Sequence, residues 1–385
     1  MIKTYLPAVA ALAALTALTG CSSSGSHSGS TTSSSPSTHA TSSATASPAV
    51  AQALAAKKQA ATFPTTIPVT APLPSAPPKG KTIVYLQCEQ QECPLEGNGI
   101  KAATQAIGWN FKVVNFQAAN PATLVAALKT ALQYHPVGVF FAGAPQATWA
   151  SEQSAYAAAG SFITESFDST APTGKGVLPG RSYAPDNTHI GQLLADEQIA
   201  DAGGAPGNSI LVNVPDYAVF QATGKAYTSE ITSVCSSCHV IDVDVTLPQL
   251  LGGQLNSAIV SAAKRASDVK YIVSVNGSFT AQLPQALSAA GLAGKYKIIS
   301  GQGTSADQHN VLTGTQLATI NSPLTESGWQ DVDMAIRKVM NLPIPQGDHE
   351  VAVALLDKSN IGTPKDSYDL PADYATQFKK LWQVG

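Results

Sequence analysis

From Lys81 onward, short apolar runs alternate with longer stretches of helical periodicity. Continuous runs of Val, Ile, Leu and Phe are typical of strands buried on both faces, and parallel strands need a crossover between them, usually a helix. The runs form two sets, which are Thr82–Leu86, Lys112–Phe116, Val137–Phe141 and Ser161–Thr164, and then Ile210–Val214, Val240–Val245, Tyr271–Val275 and Tyr296–Ser300. This pattern predicts an α/β fold with two doubly wound parallel-sheet lobes.

Helical stretches separate these strands, and others follow the second set. They are Pro121–Gln133, Ala147–Ala159, Asn187–Ala202, Pro248–Arg265, Phe279–Ala290 and Thr325–Met340. Two further apolar runs, Gln316–Ile320 and Val351–Leu356, come late in the chain. This number of elements predicts additional passages of the chain between the lobes.

Residues that interrupt regular structure mark three predicted passages between the lobes, near Ala184–Asp186, near Asn321–Pro323, and between Leu342 and Glu350. We interpret Asp186 as a hinge residue or as a cap of the following helix. The passages predict a three-segment hinge. The predicted N-terminal lobe comprises residues 79–184 and 322–345, and the C-terminal lobe with its tail comprises residues 185–321 and 346–385.

The N-terminus has the pattern of a lipoprotein leader. Lys3 precedes an apolar run from Leu6 to Leu18, which is too short to span a bilayer and is typical of a signal-peptide core. The next residues, ending at Cys21, are similar to the bacterial lipobox, in which small residues precede a cysteine that receives lipid. We expect a signal peptide over residues 1–20 and a lipid on Cys21 that anchors the protein to the cell membrane, outside the cytoplasm.

A tether is predicted to follow over residues 21–78. Ser22–Pro48 consists almost entirely of Ser, Thr, Gly, Ala and Pro, which cannot form a packed core. Ala49–Ala61 is rich in alanine and compatible with a short helix, and Phe63–Pro78 is studded with prolines and predicted to be extended. We therefore expect the globular part to begin at about Lys79.

Composition excludes several classes of function. Only 12% of the residues are charged, the formal net charge is −3, and no basic patch appears, so nucleic acid is not an expected partner. No histidine pair has the spacing of zinc ligands, and no serine lies in a nucleophile elbow. The sequence therefore predicts no catalytic residue, metal or cofactor.

Four cysteines remain if Cys21 carries lipid, which is an even number suited to an oxidising compartment. Four cysteines allow three pairings. Cys88 follows a strand of the first set, whereas Cys235 and Cys238 precede a strand of the second set, so the two groups are expected to lie far apart. We predict the disulfides Cys88–Cys93 and Cys235–Cys238.

The segment Cys235–His239 also has the C-x-x-C-H pattern of a c-type haem attachment site. A haem protein would use His239 as an axial ligand, and a thioredoxin-like redox role is a further alternative. The alternating run Val240–Val245 begins immediately afterwards and leaves little room for a macrocycle. A structural disulfide is therefore the preferred interpretation.

Ligands of open parallel sheets bind beyond the carboxyl ends of the strands. The polar candidates at those ends are Glu89, Glu165, Asp168, Asp216, Asn276 and Gln302. Phe167 and Tyr217 could stack on a ligand. Carboxylates, amides and aromatic faces suit a hydroxyl-rich solute. The pair Glu89 and Glu165 also admits a glycosidase, which uses two carboxylates.

The chain from Lys81 to its C-terminus resembles type I periplasmic binding proteins, the solute receptors of sugar ABC importers. The motifs that carry the resemblance are Gly80–Tyr85, Gly99–Ala103, Val137–Phe141, Asp186–Asn187 and Gly294–Gly301. Residues Ala49–Pro78 are similar to the lead-in of lipoprotein sugar receptors from Gram-positive actinobacteria. The resemblance implies a receptor rather than an enzyme, a carbohydrate ligand and an ABC permease as partner.

Two motifs depart from the family pattern. Members often have Asn-Asp where this chain has Asn276-Gly277, and Gly-x-Asp where it has Gly301-Gln302-Gly303. Two carboxylates expected around a sugar are thus missing, and the identity of the ligand stays open. The alternatives to import are a sensor that passes its closed form to a signalling partner, and an extracellular enzyme or haem protein on the same scaffold.

Overall fold

The computed structural model describes residues 47–385. The predicted signal peptide, Cys21 and nearly all of the Ser/Thr-rich stalk lie outside the described residues. Between residues 47 and 385, no helix is both long enough and apolar enough to cross a bilayer. The strands are β1 (Thr82–Gln87), β2 (Asn110–Asn115), β3 (Gly138–Ala142), β4 (Phe162–Ser166), β5 (Asn208–Asn213), β6 (Val240–Asp244), β7 (Val269–Ser274), β8 (Lys297–Ser300), β9 (Ala318–Ile320) and β10 (Leu355–Leu356).

Most of these strands are separated by α-helices. The helices are α1 (Pro48–Ala60), α2 (Glu92–Ala106), α3 (Pro121–Leu132), α4 (Gln153–Ala158), α5 (Ala184–Ala202), α6 (Ala218–Val234), α7 (Leu247–Leu251), α8 (Leu255–Arg265), α9 (Leu283–Ala289), α10 (Ser305–Thr313), α11 (Leu324–Val339) and α12 (Tyr374–Leu381). Short 3-10 turns stand at Gln146–Thr148, Ala150–Glu152, Gly277–Phe279 and Gln346–His349.

The strands form two sheets, one in each lobe. In the N-lobe, four parallel strands have the order β2-β1-β3-β4. In the C-lobe, six strands have the order β10-β9-β8-β7-β5-β6, and all pairs are parallel except the edge pair β10–β9. Apolar residues of the strands and flanking helices form the core of each lobe. The predicted two-lobe α/β fold is confirmed.

The chain passes from one lobe to the other after β4, after β9 and again after α11. β4 belongs to the N-lobe sheet, but α5 packs on α6 and contacts the C-lobe strands β8 and β9. After β9, helix α11 packs closely on α2 of the N-lobe, because Gly99 and Gly328 let the two backbones approach. β10 then pairs with β9 in the C-lobe sheet.

Residues 47–78 are packed on the globular part, which differs from the predicted tether. Val50 and Ala53 of α1 are buried in the C-lobe core. Ile67, Val69 and Leu73 are buried in the core of the N-lobe. The folded part therefore begins some thirty residues before the predicted Lys79, because the apolar side chains of this segment are covered by residues that are remote in sequence.

Helix α12 also differs from its predicted place in the C-lobe tail. Phe378 and Trp382 are buried with Trp329 in the N-lobe core, and the two indole rings stack with centroids 5.2 Å apart. The indole N–H of Trp382 donates to Asp333 of α11. An aromatic cluster of this size buries much apolar surface, which favours docking of α12 on the N-lobe.

Both predicted cysteine pairs are disulfides in the structure. Cys88 is bonded to Cys93, and Cys235 is bonded to Cys238. The thioether bonds of a haem would need the same two sulfurs of Cys235 and Cys238. His239 is exposed, and its backbone N–H donates to the Asn208 side chain. This arrangement supports the structural interpretation of the C-x-x-C-H pattern.

Candidate functional site

A cavity of about 410 Å³ lies between the two lobes. Residues that follow each of the strands β1–β9 line it, so it lies at the carboxyl ends of both sheets. This is the position expected for a ligand of open parallel sheets, and the volume is in the range of small-molecule sites. The lining includes five aromatic side chains, which are Phe116, Phe167, Tyr217, Phe220 and Phe279.

Aromatic side chains join the lobes across this cavity. Phe167, which follows β4 of the N-lobe, packs edge-to-face on Phe220 of α6 in the C-lobe, with centroids 5.3 Å apart. Phe220 also contacts Tyr217 at 5.7 Å and Phe279 at 5.6 Å. On the N-lobe side, a Cβ placed on Gly143 would lie 3.7 Å from the Tyr217 ring. The lobes therefore touch at one side of the cavity.

Two lining residues other than glycine have left-handed backbone torsions. Phe167 has a φ of 70° and Gln302 a φ of 43°. Residues other than glycine rarely adopt such backbone torsions. Where such torsions occur, they are concentrated at ligand sites and switch regions. Both residues were predicted as ligand contacts from their positions after strands, and the torsions are independent support for a functional role.

The polar side chains of the C-lobe wall are bonded to one another. Asn276 accepts from the amide and hydroxyl of Ser278, at 2.8 and 2.7 Å, and donates to Gln302 at 3.2 Å. Asp216 accepts from the amide of Leu247 at 2.9 Å. These side chains hold the loops that follow β5, β6, β7 and β8 in place.

A buried ionic cluster closes the N-lobe side of the cavity. The guanidinium of Arg181 donates to Glu96 of α2, to Asp331 of α11, and to the carbonyl of Ser327. Burial raises the pKa of Asp331 to about 7, although Arg181 opposes the rise. Burial also raises the pKa of Glu326 well above its usual value. Arg181 is therefore held by its own carboxyl partners rather than presented to the cavity as a free cation.

Two buried polar atoms of the lining have no partner among residues 47–385. They are Nε2 of Gln90 and the hydroxyl of Tyr217. Burial raises the pKa of Tyr217, and the carboxylates Glu92 and Glu89 raise it further. Buried donors without a partner cost free energy, so these two atoms are candidates to bind a ligand.

Five of the predicted ligand residues line the cavity, namely Phe167, Asp216, Tyr217, Asn276 and Gln302. The other three do not. Glu89 is exposed and accepts from the amide of Ala118, and Asp168 is buried against the amide of Ser169. Glu165 belongs to β4, because pairing with β3 continues through Ser166, and it is not among the residues that line the cavity.

The placement of Glu165 affects two interpretations. It is fully buried, and neither carboxylate oxygen has a hydrogen-bond partner within the described part of the chain. Burial raises its pKa well above the usual value and Asp168 adds to the rise, although the nearby backbone amides of Ala144 and Gly143 oppose it. Since neither Glu89 nor Glu165 lines the cavity, the two do not form a catalytic pair across a bound sugar.

Sequence reasoning missed several lining residues. They are Gln90, Glu92, Glu96, Phe116, Arg181, Phe220 and Phe279. A signal existed for Phe220, because Val219, Phe220, Thr223, Tyr227 and Ile231 recur at helical spacing directly after β5 and are buried in α6. Arg181 had no comparable signal, since it follows a loop rather than a strand.

A family model described as a periplasmic binding protein domain matches residues 95–341. No curated protein matches this chain. Among solved structures, the 5-methylthioribose transporter solute binding protein from Thermotoga lettingae, in complex with 5-methylthioribose, is similar with a TM-score of 0.65 and 15% identity, covering 82% of this chain and 99% of its own.

Two further solved structures are similar in fold. The glucose-galactose binding protein from Geobacillus stearothermophilus has a TM-score of 0.62 and 17% identity, covering 74% of this chain and all of its own. A solute binding protein from Actinobacillus succinogenes with bound D-allose has a TM-score of 0.61 and 14% identity, covering 72% and 98%. The match of the family model spans most of both lobes. The chain therefore belongs to the periplasmic binding protein family, as its resemblance to the type I members predicted, and it is a solute-binding protein rather than an enzyme.

Proposed function

We propose that this protein is an extracytoplasmic receptor that captures a small polar solute of the sugar type between its lobes and delivers it to an ABC importer. The observation that carries the proposal is the aromatic-lined cavity at the carboxyl ends of both sheets. Its family membership agrees with this role. Related folds that hold 5-methylthioribose and D-allose make a sugar derivative the first ligand class to test.

The geometry suggests how binding is coupled to closure. Phe167 belongs to one lobe, whereas Tyr217, Phe220, Asn276 and Gln302 belong to the other. A solute that contacts both walls gains its full set of interactions only when the lobes approach each other. Such differential contact is what allows a ligand to shift the population toward the closed form. The segments near Ala184, Asn321 and Leu342 would then serve as the hinge.

The proposal is tested by a thermal-shift screen of sugars, sugar derivatives, polyols, nucleosides and amino acids, followed by small-angle scattering. A ligand at 100 times its dissociation constant should stabilise the protein by roughly 2.7 kcal/mol and reduce its radius of gyration. Binding with an unchanged radius of gyration would contradict a closing receptor. Solute uptake that survives loss of the gene would contradict the importer role and favour a sensor.

The proposal includes a lipid anchor on Cys21, which the lipobox pattern supports. An anchored receptor remains close to its permease after the leader is removed. We expect Cys21→Ala to move the protein from the membrane fraction to the soluble fraction or to leave its leader uncleaved. A Cys21→Ala protein that matures and fractionates like the wild type would contradict the anchor and leave the receptor function intact.

A further inference from the structure

The C-lobe wall of the cavity offers a bound solute few free hydrogen-bonding groups. Asn276 and Gln302 bond each other, and Asp216 holds the amide of Leu247. Arg181 is occupied by carboxyl groups and a carbonyl of the N-lobe. A free hexose has five hydroxyl groups, and each one that loses water without gaining a partner costs binding free energy.

The C-lobe loops leave no room for further polar side chains at two positions that face each other. A Cβ on Gly277 would collide with the carboxylate of Asp307, and a Cβ on Gly303 would collide with the hydroxyl of Thr319. Asp307 itself is buried and bonded to Thr304, as part of the cap of α10. Glycine at these two positions therefore keeps the loops that carry Asn276 and Gln302 closely packed on the C-lobe.

Apolar surface makes up most of the remaining lining. Phe116 lies on the N-lobe side near the Cys88–Cys93 disulfide, and Phe220 and Phe279 lie on the C-lobe side. The edge-to-face packing of Phe220 on Phe279 fixes both rings. Rings held in this way suit an apolar or aromatic group, because aromatic pairs gain energy beyond the burial of area alone.

Charge restricts the ligand further. The ionisable lining residues that are not held by an opposite charge, Glu92 and Asp216, are both acidic, so an anion is disfavoured. Arg181 cannot compensate, because Glu96 and Asp331 already neutralise it. The lining also contains uncharged polar groups without a hydrogen-bond partner in the described part of the chain, among them an amide nitrogen of Gln90 and the hydroxyl of Tyr217, which suit uncharged hydroxyl or ether oxygens.

We propose that the ligand is an uncharged sugar derivative that carries an apolar substituent of about the size of a ring, and not a free sugar. The substituent packs against Phe220 and Phe279, while hydroxyl groups of the sugar bind Gln90 and Tyr217. This inference rests on the receptor function proposed above, and it adds the chemical class of the solute.

Matched pairs of compounds test the inference, namely glucose, galactose and ribose against their methyl and phenyl glycosides, titrated into the full-length protein by calorimetry. Burial of a phenyl group should make the phenyl glycoside of at least one sugar bind roughly 100-fold more tightly than the free sugar. Phe220→Leu should weaken the phenyl glycoside about tenfold and the methyl glycoside little. Tyr217→Phe removes only a hydroxyl and should weaken both glycosides.

A free sugar that binds as tightly as its phenyl glycoside would overturn the inference and leave the receptor function standing. Tight binding of a sugar phosphate or sugar acid would overturn it in the same way. If no sugar and no glycoside binds, both the inference and the sugar-type receptor fail. Preferential binding of the phenyl glycoside without a change in the radius of gyration would support the inference and contradict the closing mechanism.

Discussion

At the residue scale, Gln302 combines a polar side chain in the cavity with an unfavourable backbone. Its φ of 43° lies in the left-handed region, which costs most residues roughly 1–2 kcal/mol and glycine almost nothing. Its side chain accepts from Asn276 and donates to Asn187 of α5. Strain retained at such a position is consistent with a role in binding.

Two substitutions at this position separate strain from function. Gln302→Gly should be about 1 kcal/mol more stable than Gln302→Ala, because only glycine relieves the left-handed torsion. Both variants lose the amide and should bind ligand more weakly than the wild type. Urea denaturation and calorimetry measure the two effects. Equal stability of the glycine and alanine variants would show that the backbone at 302 is unstrained.

Glu165 predicts a dependence of stability on pH. Burial raises its pKa above that of the unfolded chain, so the folded state binds the proton more tightly. This contribution to stability is complete below the ordinary glutamate pKa of about 4.3 and is lost as pH rises through the folded value. We expect Glu165→Gln to stabilise the protein by roughly 1–3 kcal/mol at pH 8 and to have little effect near pH 4.

The matched control is Glu89→Gln, because Glu89 is exposed. As pH rises from 4 to 9, the melting temperature should fall less steeply for Glu165→Gln than for the wild type. The melting temperature of Glu89→Gln should fall as steeply as that of the wild type. A Glu165→Gln variant that is less stable than the wild type at pH 8 would mean that the ionised carboxylate is stabilised by the fold.

At the element scale, local patterns predict strands well and remote packing poorly. Strands such as β1 and β7 were predicted because an apolar run is a local signal, whereas the predicted helix Pro248–Arg265 is divided at Gly253, whose φ is 72°. The packing of α1 on α5 and of α12 on α11 could not be predicted. In both cases the partner is separate in sequence, and no local pattern in α1 or α12 identifies it.

The same distinction applies to the site. Tyr217, Asn276 and Gln302 were predicted because parallel strands bring their carboxyl ends to one edge. Glu165 was misplaced because the last residues of a strand have no sharp signal in the sequence. Arg181 was missed because its partners on α2 and α11 come together only in the folded lobe.

The contact between α1 and α5 includes an ion pair that can be tested. Lys57 donates to Glu197 at 2.9 Å, and the Glu197 side chain is fully buried. Burial raises the pKa of Glu197, and Lys57 opposes the rise. Lys57→Met leaves a buried carboxylate without its cation, so we expect a loss of roughly 1–3 kcal/mol at pH 8.

Lys58→Met is the matched control for this ion pair. Lys58 is adjacent on the same helix, and it makes no ion pair with any residue from 47 to 385. Adding Glu197→Gln to the Lys57→Met variant should recover part of the lost stability, because it removes the uncompensated charge. If urea denaturation gives the same loss for Lys57→Met and Lys58→Met, the ion pair contributes nothing specific.

At the scale of the whole molecule, residues 47–78 bridge the lobes. Helix α1 is fixed on the C-lobe, whereas Leu73 donates to the carbonyl of Leu381 on the N-lobe side, and the amide of Ile67 donates to Gln377. Six residues, 61–66, connect the two attachments and span at most about 20 Å when extended. The segment therefore limits how far the lobes can separate.

Detaching α1 should release this limit. Val50 is 2% exposed and Leu54, on the same helix, is 47% exposed. Val50→Asp would place a carboxylate in the C-lobe core, which disfavours docking of α1, whereas Leu54→Asp leaves the packed face intact. We expect Val50→Asp to enlarge the radius of gyration of the ligand-free protein and to weaken binding, because a smaller fraction of molecules is then closed.

Leu54→Asp should behave like the wild type in both measurements, since it adds the same charge to the same helix on its exposed side. The two lobes have their own cores, so circular dichroism should show both variants folded. If the scattering profiles and affinities are identical for Val50→Asp and Leu54→Asp, residues 47–78 do not restrain the motion of one lobe relative to the other. A difference confined to Val50→Asp would instead make residues 47–78 a determinant of the closing equilibrium.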